Sequence, residues 1–283
     1  MGLQAIGSEE RMQAERSLKK PSQPRAKISA THSLKGRVME SLDHKEPQTT
    51  RALSQKLELH QSSVSHTLNE LMEEDLVTKK GKGYRLSNVG LIQRNVQDRM
   101  AKTLRCLMDH RDFFLSHDLS GIPLGFQVSM GVVSDGQEAV EKDPAIPYHM
   151  NNAIISILKQ SSRFLVASFT LVPDHQLTVA QAVREGGHLQ AVSSDRILQE
   201  LRLQSHALKD VSLHSRKELY RHNNVNLHLI VTESHLILAL PRLDGTCDLE
   251  NIIISKDREA LNWGRMLYYY FQSYGEKVDL ATF

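Results

Sequence analysis

The 283-residue chain has few of the residues that mark several classes of protein. Its two cysteines, Cys106 and Cys247, are too few for a disulfide framework, which predicts a reducing compartment. Lys and Arg number 35 against 33 Asp and Glu, a balance that excludes the coating of nucleic acid by bulk charge. The most apolar stretch, 225–240, is interrupted by polar residues including His228 and Glu233, so it predicts no membrane span. Any contact with nucleic acid must therefore come from a local basic patch.

The first residues of the chain also lack an apolar run. The charged residues Glu9, Glu10 and Arg11 predict no signal peptide, and together with the scarce cysteines they favour a cytoplasmic location. Residues 1–28 mix prolines with basic residues, which predicts a flexible tail that is either a DNA-contacting arm or a solvated extension. The basic residues of this tail include Lys19, Lys20, Arg25 and Lys27.

Residues 29–87 contain the pattern of a winged helix-turn-helix domain. Apolar residues at helical spacing mark three helices, and a short turn around Glu58 to His60 joins the last two. Two short strand-like segments then flank Gly81–Gly83, which is typical of a hairpin tip. This order predicts a DNA-binding domain whose third helix enters the major groove. The apolar residues are Leu34, Val38 and Leu42, then Leu53 and Leu57, then Val64, Leu68 and Leu71.

The polar residues of this domain indicate how it would read DNA. Gln pairs with adenine edges and Ser with several bases, while Lys and Arg displace counterions from phosphates. Glu58 departs from the pattern, because such turns often have glycine with a positive φ. The alternatives are a solvated helical hairpin and a winged fold used for protein contacts. We expect base or nearby phosphate contacts from Gln61, Ser62, Ser63, Ser65 and His66, and DNA-backbone contacts from Lys79, Lys80, Lys82 and Arg85.

Residues 88–116 predict one long helix with an apolar stripe. Ser87 is a suitable N-cap, and the helix is expected to continue to about Phe114. The stripe would be covered either by the same helix of a second copy or by the rest of the chain. The first arrangement gives a homodimer that reads two half-sites. The members of the stripe are Ile92, Val96, Met100, Leu104 and Leu107.

Residues 117–283 alternate between strand-like and helix-like segments, which predicts helices covering a mixed sheet. The expected fold class is therefore α+β and α/β: a winged helix-turn-helix, a linker helix and a C-terminal mixed-sheet sensor domain. Strands are predicted at Phe126–Val133, Arg163–Phe169, Leu189–Val192, Val225–Val231, Leu236–Leu240 and Ile252–Ile254. Helices are predicted at Asn151–Gln160, Leu177–Glu185, Asp195–His206, Ser215–His222 and Asp257–Ser273.

Short polar residues follow two of these predicted strands. Open α/β sheets bind ligands at the carboxyl ends of strands, so these residues are candidates for a small-molecule effector pocket. Each of them is also suited to cap the helix that follows it. They are Ser168, Thr170 and His175 after one strand, and Ser193 and Ser194 after the next.

Two segments of this half resemble a known family. The segment His117–Pro123, which reads His-Asp-Leu-Ser-Gly-Ile-Pro and is followed by Phe126 and Gly131, is similar to the entry of the effector domain of archaeal methanogenesis regulators. The segment Asp257–Tyr270 resembles that family's closing signature, in which Ala-Leu-x-Trp-Gly leads to aromatic residues. The resemblance implies an archaeal DNA-binding transcriptional regulator whose C-terminal domain senses a signal. Leu236–Leu240 departs from the family's Ser-Leu-Gly-Leu strand, so if this strand lines a pocket, a ligand different from that of the relatives is expected.

Other chemistries lack their residue patterns in this sequence. A phospholipase-D-like reaction needs His-x-Lys-x4-Asp, and residues 206–210 have the wrong spacing for it. The phosphate-binding motif Gly-x4-Gly-Lys-Ser/Thr does not occur. The 14 histidines include no His-x3-His pair, and there is no Cys-x2-Cys pair. The sequence therefore predicts no enzyme, no cofactor and no metal site, and it favours buried apolar roles over redox sensing for both cysteines.

Overall fold

The computed structural model describes residues 33–134, 149–203 and 217–279, so the predicted basic tail at 1–28 lies outside the described residues. Three short helices and a hairpin come first, followed by a long helix and a seven-stranded mixed sheet with helices. This architecture confirms the predicted fold class. The N-terminal elements are α1 (Leu34–Ser41), α2 (Thr50–Leu57), α3 (Gln61–Glu73), β1 (Val77–Lys80) and β2 (Gly83–Leu86).

The N-terminal elements share one small core. Side-chain caps start the first two helices: Ser33 Oγ accepts a hydrogen bond from the Gly36 amide, and Thr49 Oγ1 accepts one from the Ala52 amide. β1 and β2 pair antiparallel, and Gln48 forms an isolated antiparallel bridge to Tyr84 through two 2.8 Å backbone hydrogen bonds. The fully buried residues of this core include Val38, Leu53, Val64, Leu68 and Leu71.

The linker between the two halves is a helix that breaks once. The helix α4 (Asn88–Asp109) starts at Ser87, whose Oγ accepts a hydrogen bond from the Gly90 amide. A Cβ at Gly90 would lie 2.0 Å from the Leu76 carbonyl oxygen, so glycine is required where the helix leaves the hairpin. The helix was predicted to continue to about Phe114, but it ends at Asp109 and the short helix α5 (Arg111–Ser116) follows.

The C-terminal half is built on one sheet with the order β8-β7-β6-β3-β4-β5-β9. The strands β3, β4 and β5 are parallel, and the other neighbouring pairs are antiparallel. The strands are β3 (Arg163–Ser168), β4 (His188–Ser193), β5 (Lys217–Arg221), β6 (His228–Val231), β7 (Leu236–Ala239), β8 (Ile253–Ser255) and β9 (Glu276–Lys277). The helices are α6 (Leu124–Gln127), α7 (His149–Lys159), α8 (Pro173–Arg184), α9 (Asp195–Leu203) and α10 (Arg258–Tyr274), and Met130–Val133 is a 3-10 turn.

Each face of this sheet has its own apolar core. On one face α10 places Trp263, Leu267 and Phe271 against strand residues such as Leu229 and Leu238. On the other face α7 and α8 pack on strand residues that include Phe164, Ile230 and Ile237. Double-sided burial explains why β6 and β7 read as continuous apolar runs instead of alternating patterns. None of the described helices meets the length and apolarity that crossing a membrane requires.

The predicted strand Phe126–Val133 is wrong, because the segment forms α6 and the 3-10 turn. Tertiary contacts hold it in these turns. Trp263 Nε1 donates a 3.2 Å hydrogen bond to the Phe126 carbonyl. A Cβ at Gly131 would lie 2.3 Å from the Thr103 backbone nitrogen, so the turn packs directly on α4.

The predicted helix Ser215–His222 is also wrong, because Lys217–Arg221 forms β5. Strand β4 supplies its hydrogen-bonding partner in parallel register, from a part of the chain that a local pattern cannot include. The short edge strand β9 was not predicted. The predicted helix at Leu177 begins earlier, at Pro173, because proline suits the first turn. The predicted end of α9 at 204–206 lies outside the described residues.

Candidate nucleic-acid interface

The tip of α3 carries the residues predicted to read bases. Gln61 and Ser62 are exposed, Ser63 and Ser65 are half-buried, and the opposite side of the helix is buried in the core. The N-cap is His60, whose side chain makes no capping hydrogen bond. The first amides of α3 therefore have no side-chain acceptor, and such a helix end attracts a phosphate.

The fifth predicted base-reading residue, His66, is held toward the acidic end of α3. Its exposed ring places Nδ1 3.3 Å from Glu70 Oε1, one turn further along the helix. Glu70 also lies 3.2 Å from Lys35 Nζ, which forms a second ion pair of 2.6 Å with Glu74. Lys35 thus partly neutralises the acidic end, and the polar tip remains the part of α3 that is free of carboxylates.

The turn before α3 uses a left-handed residue without glycine. Glu58 ends α2 with φ 54° and ψ 46°. The Leu59 amide donates to the Ser54 carbonyl at 3.0 Å, and Ser54 Oγ donates to the Leu59 carbonyl at 2.6 Å. These bonds close the end of α2 in the manner of a Schellman cap. The sequence identified the unusual residue, and the structure shows that the glutamate adopts the strained conformation.

The hairpin β1–β2, which we call the wing, carries its four cations at different positions. Lys79 pairs with Tyr84 across the strands, and its Nζ lies 5.7 Å from the centre of that ring. Arg85 alternates with the buried Tyr84 and Leu86, so it lies on the face of the wing away from the core. Lys80 is exposed at the end of β1, and Lys82 is exposed in the turn beside Gly81, whose φ is 62°. Lys79, Lys80 and Lys82 are therefore exposed to solvent, and Arg85 is half-buried.

The linker helix α4 divides its apolar surface between two environments. Its C-terminal half packs on the C-terminal domain: Ala101 and Cys106 are buried, and Thr103 Oγ1 donates a 3.0 Å hydrogen bond to the Val128 carbonyl. In its N-terminal half, Ile92 and Val96 are 65% and 60% exposed, and Met100 is 58% exposed. Val89 extends this strip at 58%, whereas Leu107 is 38% exposed and Leu104 is half-buried. Packing within the chain thus covers only the C-terminal part of the predicted stripe.

The residues predicted for an effector pocket lie at or just after the carboxyl ends of β3 and β4, but several of them make hydrogen bonds within the chain. Ser168 and Ser193 are buried neighbours in the parallel register of β3 and β4. Ser168 Oγ accepts from the Thr170 amide at 3.2 Å and donates to the Thr170 carbonyl at 2.6 Å. Ser194 Oγ accepts from the Ile197 amide at 3.5 Å, which caps α9. The capping alternative therefore describes the hydroxyl of Ser194, whereas Ser168 bonds within the loop after β3 and the N-cap of α8 is Val172.

Two buried histidines, His175 and His228, stack at this same end of the sheet. Their ring centroids are 5.7 Å apart with an interplanar angle of 22°. Ser168 Oγ lies 2.7 Å from His228 Nδ1, but His228 Nε2 and both ring nitrogens of His175 have no hydrogen-bond partner among the described residues. Burial lowers the pKa of His175 to about 4 and that of His228 to about 3. His228 was not a predicted site residue, because its position in an apolar stretch only marked a strand.

The family-like segment at His117 has a structural role in the described residues. His117 Nε2 lies 3.3 Å from Asp248 Oδ2, and Arg242 Nε donates to the same oxygen at 2.9 Å. Burial acts to raise the pKa of Asp248, but hydrogen bonds from Asn251 and Arg242 lower it well below its usual range. This buried cluster joins the end of α5 to the loop after β7.

The three other candidate sites are a metal site, the two cysteines and the phospholipase-D-like segment. In residues 33–134, 149–203 and 217–279, no three His, Cys, Asp or Glu side chains are grouped to hold a metal ion. Cys106 is buried, and burial raises the pKa of Cys247 to about 11, which keeps it a thiol. Residues 206–210, with the wrong spacing for phospholipase-D chemistry, lie outside the described residues.

Comparison with known proteins identifies relatives for both halves of the chain. The model of the N-terminal domain of the methanogenesis regulatory protein FilR1 matches residues 25–109, and the model of its middle domain matches residues 147–273. The methanogenesis regulatory protein FilR1 of Methanothrix harundinacea (strain 6Ac) is 26% identical over 267 residues. That match covers 90% of this chain and 58% of the relative, so the chain spans less than two thirds of the relative's length.

Solved structures give weaker similarities. The archaeal chromatin protein TrmBL2 covers 86% of this chain and 93% of its own, with 14% identity and a TM-score of 0.41. Nuc, a phospholipase D family member from Salmonella typhimurium, covers 45% of this chain and 90% of its own, with 10% identity and a TM-score of 0.34. Similarities at this level carry no argument about function.

Proposed function

The chain belongs to the family of the methanogenesis regulatory protein FilR1, and we propose that it is a sequence-specific DNA-binding transcriptional regulator that acts as a homodimer. In this proposal residues 29–87 bind double-stranded DNA, residues 88–116 join two copies and residues 117–283 sense a signal. No catalytic step is assigned to the chain. The observation that carries the proposal is the exposed polar tip of α3, which shares one buried core with a wing of exposed cations.

The chemistry of the tip and the wing favours duplex DNA over a protein partner. Gln61 and Ser62 offer donors and acceptors that suit base edges in the major groove, and the N-terminal amides of α3 suit a phosphate. Lys80, Lys82 and Arg85 are placed to neutralise phosphates, and no carboxylate of the described residues forms an ion pair with them. A surface for protein contacts would instead be expected to centre on apolar or aromatic anchors.

Separate tests address base reading and backbone contact. Binding is measured by fluorescence anisotropy on a duplex footprinted upstream of the protein's own gene and on a random duplex, over a salt series. Gln61→Ala is expected to weaken binding to the footprinted duplex by about 1–3 kcal/mol and to relax one base position. Lys82→Ala is expected to weaken both duplexes alike and to reduce the salt slope by about 0.9.

Two exposed residues far from the interface serve as matched controls. Gln199→Ala in α9 and Lys159→Ala in α7 remove the same side chains from the C-terminal half and are expected to bind as the unmodified protein does. If Gln61→Ala and Lys82→Ala changed both duplexes equally, the assignment of α3 to base reading would be wrong. If the unmodified protein bound no duplex at low salt, the alternative of a protein-interaction module would replace the proposal.

The homodimer is proposed from the uncovered half of α4. Ile92, Val96 and Met100 follow at four-residue intervals and form one strip along the helix. Thr103 and Gly131 fix the C-terminal half of α4 to the C-terminal domain. The helix therefore cannot rotate about its axis to bury the strip within the chain. A second copy offers the same strip, so two α4 helices related by a two-fold axis would cover each other. Such a dimer would also present two copies of α3 to two half-sites.

A further inference from the structure

A concavity lined by described residues lies at the end of the sheet opposite Ser168 and Ser193. It is a cavity of about 610 Å³ at the amino ends of β3 and β4, bounded on one side by α10. We call it the α10 groove and define it by Arg163, Leu165, His188, Gln190, Glu218, Val231, Glu233, Arg265 and Tyr269, which line it. Its volume falls within the range of about 300–1,000 Å³ that is usual for small-molecule sites.

The register of the strands explains why this groove exists. Arg163 stands beside His188, and Leu165 stands between Gln190 of β4 and Val231 of β6. These residues alternate with those buried beneath α7 and α8, so they face the α10 side of the sheet. The helix α10 packs its apolar residues over β6 and β7, where Leu229 and Leu238 lie. The start of β4 beyond it stays uncovered, and a concavity results.

The acidic residues of the groove are already satisfied. Glu233 accepts hydrogen bonds from the backbone amides of Ser162 and Arg163, at 2.9 and 3.2 Å. Glu218 accepts from Gln190 Nε2 and from Lys277 Nζ, both at 2.6 Å. Both carboxylates thus have hydrogen-bond donors that they contact directly, Glu218 forms an ion pair with Lys277, and no ion pair among the described residues joins either carboxylate to an arginine of the groove.

The two arginines of the groove have no acidic partner in the described part of the chain. Arg163 is exposed and takes part in no ion pair among the described residues, and the half-buried Arg265 donates through Nη1 to the amide oxygen of Asn262 at 3.2 Å. A guanidinium presents paired donors that match a carboxylate or a phosphate. Leu165 and Val231 add apolar surface to the same groove, and Tyr269 is 50% exposed. The lining therefore combines unneutralised cations with hydrocarbon and aromatic surface.

We propose that the α10 groove binds a small amphipathic anion, with its carboxylate or phosphate head between Arg163 and Arg265 and its apolar part against Leu165, Val231 and Tyr269. This site lies at the amino ends of β3 and β4, whereas the pocket predicted at Ser168 and Ser193 lies at their carboxyl ends. Anion binding in the α10 groove would give the proposed sensing domain a class of ligand. Only the claim that this ligand regulates DNA binding rests on the proposed function. Binding itself is a property of the C-terminal domain and is measured without DNA.

The test is calorimetric titration of the full chain with three eight-carbon probes that differ only in the head group. Octanoate supplies a carboxylate, octyl phosphate supplies a phosphate ester and 1-octanol supplies a neutral head, all below micellar concentrations. The expected result is binding of at least one anionic probe and at least tenfold weaker binding of octanol. The stronger of the two anions identifies the head group. Equal binding of octanol, or binding of none of the three, would overturn the proposal.

Variants locate the bound probe. Arg163→Met and Arg265→Met keep an unbranched stem but lose the guanidinium, and each is expected to weaken the anionic probe at least about tenfold, as loss of a charged hydrogen bond does. Arg258→Met, on an exposed residue of the same helix, is the matched control and is expected to leave binding unchanged. Melting temperatures establish that the variants are folded. If the double variant Ser168→Ala with Ser193→Ala abolished binding while both arginine variants retained it, the probe would bind at the carboxyl ends of β3 and β4 instead of in the α10 groove.

The outcomes separate this proposal from the proposed function. A protein that binds its footprinted duplex but none of the probes would retain the regulatory role and lose the groove site. A protein that binds octanoate or octyl phosphate through Arg163 and Arg265 but ignores DNA would retain the groove site and lose the DNA-binding role.

Discussion

The stacked pair His175 and His228 is expected to make the stability of the C-terminal domain sensitive to mild acid. Burial lowers the pKa of His175 to about 4 and that of His228 to about 3, and the neighbouring charge of Asp174 only partly opposes this for His175. The folded state therefore holds both rings neutral, whereas the unfolded chain takes up protons near pH 6.5. Their contribution to stability is fully present above about pH 6.5 and is lost as the pH falls toward about 4 and 3.

The magnitude follows from these pKa values. Between about pH 7 and pH 5, each histidine is expected to reduce the free energy of unfolding by about 2 kcal/mol, because the unfolded state binds a proton that the folded state excludes. The two together would remove about 4 kcal/mol, a large part of the roughly 5–15 kcal/mol that stabilises a typical protein. The lowered pKa values of carboxyl groups such as Asp118 and Glu218 affect stability at lower pH, so this window isolates the histidines.

The assay is urea unfolding of the protein and of His175→Met at several pH values in this window, followed by circular dichroism. Methionine suits the site because both ring nitrogens of His175 lack partners, so no hydrogen bond is lost. The variant is expected to lose about half of the pH dependence, or about 2 kcal/mol. The exposed His188→Met is the control and is expected to retain the full dependence. Identical pH dependence in the protein and in His175→Met would refute the argument.

Three further changes test other parts of the structure. Val96→Asp places a charge in the exposed strip of α4 and is expected to convert a dimer to a monomer in analytical ultracentrifugation, and a monomeric unmodified protein would contradict the homodimer. Glu58→Gly is expected to raise the stability of the N-terminal domain by about 0.5–1 kcal/mol in thermal unfolding, because glycine adopts φ 54° without strain. Gly131→Ala is expected to destabilise by about 1–3 kcal/mol, because its Cβ would meet the Thr103 backbone, and an unchanged melting temperature would contradict this.

The tip of α3 and the wing were accessible to sequence reasoning because their signals are local. Apolar residues three and four apart place Val64, Leu68 and Leu71 in the core, so the side of α3 that carries Gln61 and Ser62 must face solvent. Gly81 marks the wing for a similar reason, since the turn requires a positive φ. The function of these residues in DNA binding stays a prediction until binding is measured.

The α10 groove was not accessible to sequence reasoning, because its two arginines are about a hundred residues apart in the chain. Arg163 begins a strand and Arg265 lies in the last helix, and nothing local to either relates them. The strand order and the packing of α10 bring them to one cavity. The prediction at Ser168 and Ser193 followed the rule for parallel strands; β3 and β4 are parallel, and the site stays a prediction.

The sequence by itself determined the elements whose stability comes from near neighbours: the capped helices, the wing and the apolar strands that pair as β6 and β7. Tertiary structure alone decided where distant segments meet. It made Lys217–Arg221 a strand because β4 offers hydrogen bonds, and it made Phe126–Val133 a pair of turns because Trp263 and Thr103 hold them. The physical reason is that periodicity reports which side of a segment is buried, whereas the partner that buries it is chosen by the free energy of the whole fold.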